Sequence, residues 1–92
     1  MLAQDMTITR EAFLRGLPVA LDGAPFVVAG DAIRPVDPRQ RWRIVLAAMP
    51  PLRLGLLSLP RQHVEIHTVG FSDATRRRFV ERFELAFRRA GG

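Results

Sequence analysis

HVEIHTVGFSDATRRRFVERFELAF, residues 63–87, contains two different spacings of apolar side chains, one after the other. Apolar and polar residues largely alternate from His63 to Val69, and this period of two predicts a β-strand. Beyond Gly70 the apolar residues recur at intervals of three and four, and this period predicts a helix. A strand followed directly by an amphipathic helix indicates a mixed fold, in which the helix covers one face of a sheet.

The last helix is predicted to begin after Ser72, a good N-cap, with Asp73 at the positive end of the helix dipole. Its apolar stripe consists of Phe79, Val80, Phe83, Ala86, Phe87 and Ala90. Gly91-Gly92 follows, where a glycine cap is expected. A terminal Gly-Gly also occurs in proteins that carry acyl or sulfur groups, but that chemistry needs a slim tail, so capping is the better explanation.

Two segments upstream are predicted to form an antiparallel meander with the strand at His63. Arg41–Met49 alternates at first and is expected to stop at Pro50-Pro51. Leu52–Leu59 is almost wholly apolar, so we predict a buried central strand there. Pro60-Arg61 then turns the chain.

The first helix is predicted to begin near Thr9, a good N-cap. It is predicted either to end at Leu17, because the following residue is proline, or to kink there and continue toward Leu21. Phe26–Ala29 and Ala32–Val36 flank a glycine turn and are predicted as a short hairpin. Residues 1–6 are expected to be frayed.

These elements predict a single α+β domain of 92 residues, for which we write the order α-β-β-β-β-α. The simplest packing is a two-layer sandwich, with both helices on one face of an antiparallel sheet. Phe79, Phe83 and Phe87 are expected to contact a sheet face formed by Trp42, Ile44, Leu46, Leu54, Leu56, Val64 and Ile66.

Composition excludes several classes of protein. Cysteine is absent, which excludes a disulfide framework, a cysteine nucleophile and thiolate metal sites. No apolar run approaches the ~18–20 residues that span a bilayer, and no secretory signal is visible, so we expect a cytoplasmic protein without a membrane partner. All 14 basic residues are Arg, while Lys, Asn and Tyr are absent, a codon bias that indicates a GC-rich bacterium.

The opposite face of the predicted sheet has no helix to cover it and mixes arginine, histidine and aliphatic side chains. Contiguous exposed apolar area commonly marks a contact site, so we predict that this face binds a second copy of the chain or another protein. The alternative is a solvated face on which Glu65 pairs with an arginine across strands. The predicted contact residues are Arg43, Val45, Arg53, Leu57, His63, Glu65 and His67.

His63, Glu65 and His67 form an H-x-E-x-H pattern, whose side chains all point the same way on a strand. Neighbouring members are then ~6.6 Å apart and the histidines ~13 Å apart, too far for all three to share one metal. The sequence offers no other His and no Cys, so we predict no metal and no cofactor. The simplest interpretation of the three residues is a solvated polar strand. The functional alternatives are an acid–base pair and a pH-sensitive contact.

The last helix is strongly basic, and Arg78, Arg82 and Arg89 form a stripe beside its apolar face. Such a stripe can bind phosphates with salt-sensitive affinity, whereas the simpler interpretation is a solvated face with snorkelling arginine stems. Nucleic acid is only weakly supported as a partner, because the bare sheet face carries no stacking aromatic and no zinc-finger or helix-turn-helix pattern is present.

The sequence contains no P-loop, G-x-G-x-x-G or G-x-S-x-G motif, and we assign no catalytic residue. We predict a noncatalytic interaction or accessory domain that acts through its exposed sheet face, as a homodimer or with another protein. The alternative is a binder of an anionic ligand or nucleic-acid backbone through the Arg-rich helix and strand surface. A small enzyme using His63, Glu65 or His67 is the least favoured class.

Overall fold

Residues 2–89 form five strands and two helices. These residues, apart from the side chain of Arg89, are the part of the chain that a computed structural model describes. The predicted positions Ala90 and Gly91-Gly92 lie outside the described residues. The elements are β1 (Leu2–Met6), α1 (Arg10–Ala20), β2 (Phe26–Ala29), β3 (Ala32–Pro35), β4 (Trp42–Leu54), β5 (Leu57–Thr68) and α2 (Asp73–Arg89).

The strands form one antiparallel sheet in the order β1-β5-β4-β3-β2. The apolar sides of both helices join one face of this sheet in a single core. The predicted two-layer α+β architecture is therefore confirmed, with the order α-β-β-β-β-α from residue 10 onward. The β2-β3 hairpin extends the sheet at its edge instead of folding over it, so the face opposite the helices stays uncovered within residues 2–89.

Both helices begin at the residues that the sequence predicts. Thr9 Oγ1 accepts a hydrogen bond from the Ala12 N–H at 3.0 Å, and Ser72 Oγ accepts one from the Thr75 N–H at 3.1 Å. Each bond satisfies an amide that the first turn of a helix leaves unpaired.

The first helix continues past its proline. α1 includes Pro18 and ends at Ala20, three residues beyond the earlier of the two predicted ends. Leu17, Ala20 and Leu21 are all buried. Their packing outweighs the local preference of a residue before proline for extended geometry.

The core is centred on three phenylalanines from the two helices. The rings of Phe13 and Phe87 stack with their centroids 4.8 Å apart, and those of Phe83 and Phe87 are 4.7 Å apart. Ile44, Leu46 and the other inward residues of β4 and β5 lie beneath them. Leu54 and Leu56, predicted to belong to this layer, are 55% and 105% exposed, so that part of the prediction is wrong.

Residues 2–6, expected to be frayed, form an edge strand instead. β1 pairs with β5 from Leu2 opposite Ile66 to Met6 opposite Gln62. Leu2 and Met6 pack against the core, while Ala3 and Asp5 are exposed on the other face. This alternation is the expected pattern of a half-buried strand, although it is too short to stand out in the sequence.

The three-segment meander over residues 41–69 is in fact one long hairpin. Leu52 to Leu54 continue β4, and Leu57 to Leu59 begin β5. The turn lies at Gly55 and Leu56, inside the predicted central strand, and Gly55 has a φ of 60° that favours glycine. The structure therefore has four strands after α1, where the sequence pattern indicates five segments.

The proline pair lies in a β-bulge and not at a strand end. Met49 is opposite Arg61 and the next pair is Leu52 opposite Leu59, so β4 advances three residues where β5 advances two. Arg61 Nε donates a hydrogen bond to the Pro50 carbonyl at 3.2 Å across the bulge. Residues 49–61, hereafter the hairpin arm, extend past the neighbouring strands, because β1 pairs only as far as Gln62.

Candidate functional site

The uncovered side of the sheet, hereafter the exposed sheet face, is formed by side chains that alternate with the core. The register places His67 opposite Arg43, Glu65 opposite Val45 and His63 opposite Ala47. Residues directly opposite one another in an antiparallel pair share a face, so these six lie on one surface. β1 adds Asp5 beside His63 and Ala3 beside Glu65.

Four polar side chains on this face form a continuous string. His63 Nδ1 lies 2.7 Å from Asp5 Oδ1, and His63 Nε2 lies 3.4 Å from Glu65 Oε2. The other oxygen of Glu65 lies 3.0 Å from His67 Nε2. Asp5 is the member that sequence reasoning missed, because its contact with His63 depends on a pairing between residues 58 positions apart.

The string changes the pKa of two of its members, His63 and Glu65. The hydrogen bond from His63 to Asp5, helped by the charges of Asp5 and Glu65, raises the pKa of His63. The hydrogen bond from His67 lowers the pKa of Glu65, and the charges of both histidines act in the same direction. Both shifts favour a protonated His63 beside an ionised Glu65.

The string lies on an open part of the sheet. Within residues 2–89, no three histidine or acidic side chains come together in a way that could hold a metal ion. The side chains of His63, Glu65 and His67 are 33–38% exposed on an open sheet. Such a surface excludes little water, whereas reaction centres depend on water-excluded geometry.

The bulge makes the hairpin arm two-sided. Because it inserts one residue into β4, Leu52 and Leu54 lie on the same side as Met49, together with their partners Leu59 and Leu57. Met49, which is opposite Arg61, precedes them on that side. We call Met49, Leu52, Leu54, Leu57 and Leu59 the leucine side of the arm. It continues the exposed sheet face beyond Ala47.

The predicted contact residues separate at the bulge. Arg43, Val45, His63, Glu65 and His67 lie together on the exposed sheet face, and Leu57 lies on the leucine side of the arm. The prediction placed Arg53 with them. Arg53 is opposite Ser58, however, and successive residues alternate, so Arg53 lies on the other side of the arm.

A cleft of about 750 Å³ lies at the other end of the β4–β5 hairpin, between the loops at residues 37–41 and 69–72 and the first half of α2. Its aromatic residues contact one another: the ring centroids of Trp42 and Phe79 are 6.0 Å apart and those of Phe71 and Phe79 are 5.8 Å apart. Arg78 and Arg82 from the predicted anion-binding stripe also line it. The third member, Arg89, has a side chain outside the described part of the chain.

No family model matches this chain, and a search of curated proteins finds no match. In residues 2–89, neither helix has the length and apolar character required to cross a membrane.

Proposed function

We propose that this chain is a noncatalytic interaction domain that forms a homodimer through the exposed sheet face and the leucine side of the arm. One observation supports this proposal above the others. The bulge places aliphatic side chains of both strands on one side of the hairpin arm, which protrudes from the sheet. Leu54 is 55% exposed and Leu57 is 62% exposed. Contiguous apolar surface of this kind is characteristic of protein contact sites.

The charges on this surface favour a second copy of the chain as the partner. On β1, β4 and β5 this surface carries two arginines, Arg43 and Arg61, and two carboxylates, Asp5 and Glu65. β3 adds Arg34, which follows the buried Ile33 and lies on the same face. A surface that carries both signs can pair with itself about a twofold axis, because arginines of one copy can then meet carboxylates of the other. A bacterial cytoplasmic location remains part of this proposal and rests on composition alone.

The test measures the solution mass by light scattering on a sizing column, over a range of protein concentrations and at low and high salt. We expect a dimer that persists at high salt, because the leucine side contributes an apolar interface. Leu57→Asp places a charge in that interface and should weaken dimerisation at least tenfold. Its fold should be unchanged, since Leu57 lies outside the core.

Ser58→Asp is the matched control, because Ser58 adjoins Leu57 and lies on the other side of the same arm. It adds the same charge and should leave the dimer intact. A wild-type chain that is monomeric at every concentration rejects the homodimer. Equal loss of dimer in both variants would show that charge alone, and not the leucine side, controls association.

A further inference from the structure

We propose that the cleft between α2 and the loop before β4 binds a small organic anion with a flat aromatic body. This site is separate from the proposed dimer surface, since it lies at the opposite end of the β4–β5 hairpin. Its volume of about 750 Å³ lies within the range of about 300–1,000 Å³ of small-molecule sites.

The body of the ligand follows from the apolar lining. Trp42, Phe71 and Phe79 form a connected aromatic wall, and Phe71 meets Phe79 edge-on with an interplanar angle of 84°. Phe71 and Phe79 are only partly buried, so part of each ring is open to the cleft. Aromatic rings prefer offset or edge-to-face neighbours, and a flat aromatic ligand can add one more such contact.

The charge of the ligand follows from the arginines. Arg41, Arg78 and Arg82 line the cleft, and none of its lining residues within residues 2–89 is acidic. A fourth arginine, Arg39, forms an ion pair with Asp37 at 3.1 Å. Arg41, Arg78 and Arg82 have no such ion pair in the described part of the chain, so their guanidinium groups can donate to a carboxylate or phosphate.

The only tryptophan of the chain reports on this site. Trp42 Nε1 donates a hydrogen bond to Gln40 Oε1 at 3.2 Å, and both residues line the cleft. A ¹H–¹⁵N spectrum therefore contains a single indole cross-peak that lies at the proposed site. Three probes separate the aromatic body from the charge. 1-Naphthyl phosphate has both, 1-naphthol has the aromatic body alone, and inorganic phosphate has the charge alone.

We expect 1-naphthyl phosphate to shift the indole cross-peak in a saturable way and to bind at least tenfold more tightly than either partial probe. The double variant Arg78→Gln and Arg82→Gln should weaken 1-naphthyl phosphate about tenfold and leave 1-naphthol unchanged. Arg77→Gln is the matched control, because Arg77 is on the same helix but does not line the cleft.

Two results would overturn the proposal. The first is that inorganic phosphate binds as tightly as 1-naphthyl phosphate and that Arg77→Gln weakens binding as much as the double variant does. This result would indicate diffuse attraction to a basic helix. An indole cross-peak that does not move with 1-naphthyl phosphate at millimolar concentration would show that the cleft takes no such ligand.

Discussion

At Gly16 the two helices approach so closely that a side chain would overlap a ring of the core. A Cβ added there would lie 2.7 Å from Cε1 of Phe87. That ring is 3% exposed and stacks on Phe13, so it has little room to move. The absence of a side chain at this residue thus sets how closely α1 and α2 can pack.

Gly16→Ala should destabilise the protein by about 1 kcal/mol in urea unfolding. Overpacking costs about 1–3 kcal/mol, and the better helix propensity of alanine offsets about 1 kcal/mol of that cost. In a Phe87→Ala background the ring is gone, and the same substitution should be neutral or stabilising. Equal effects in both backgrounds would show that Phe87 is not the reason for the glycine.

His63 should make stability depend on pH near neutrality. Its pKa is raised in the folded protein by Asp5, so its contribution is complete below the unfolded value of roughly 6.5. That contribution is lost as the pH rises through the folded value. Asp5→Asn should lower the pKa of His63 measured by NMR and should reduce the melting temperature more at pH 5.5 than at pH 8.5.

The control for this titration is Glu81→Gln, which removes a carboxylate on α2 that has no contact with the polar string. The pKa of His63 should not change in this variant. If Asp5→Asn also leaves it unchanged, the short His63–Asp5 contact does not persist in solution.

At the scale of elements, the hairpin arm contributes no residue to the buried core that stabilises the fold. None of the buried core residues lies between Leu46 and Gln62. Replacing residues 50–60 by Asn-Gly joins the opposed pair Met49 and Arg61 through a two-residue hairpin turn. The shortened chain should keep its circular dichroism and cooperative unfolding and should lose the dimer. Loss of cooperative unfolding would contradict this separation.

The sequence predicts elements well where one physical signal dominates. The stripe through Phe79, Phe83 and Phe87 predicts α2, and the alternation around Ile44 and Ile66 predicts the centre of the sheet. The prediction of a buried central strand at residues 52–59 is wrong, because a continuous apolar run resembles a buried strand whether or not anything covers it. The turn inside that run depends on a single glycine, Gly55, which is a weak signal without the pairing register.

The candidate surfaces were predicted less completely than the fold, because they depend on contacts distant in sequence. The pattern of His63, Glu65 and His67 was visible, but Asp5 joins them only through the pairing of β1 with β5. Arg82 was visible as part of a basic stripe. Its position across a cleft from Trp42 depends on how α2 packs against the start of β4.

At the scale of the whole molecule, the described residues form an elongated body of 46 × 26 × 22 Å. The leucine side of the arm and the arginine-lined cleft lie at opposite ends of the β4–β5 hairpin. Because no residue belongs to both, Leu57→Asp and the arginine variants test separate proposals. A negative result for the dimer does not affect the proposal for the cleft, and the reverse also holds.

The proline pair in the bulge limits how copies of this chain can add to one another. An unpaired strand edge is a template on which further strands can stack without end, as in a fibril. Along β4 the arm has two successive residues, Pro50 and Pro51, that carry no N–H to extend a ladder, and the bulge bends the strand there. A neighbouring copy can bury the leucines but finds no regular edge along β4 in the arm, so this part of the hairpin is a poor template for a growing polymer.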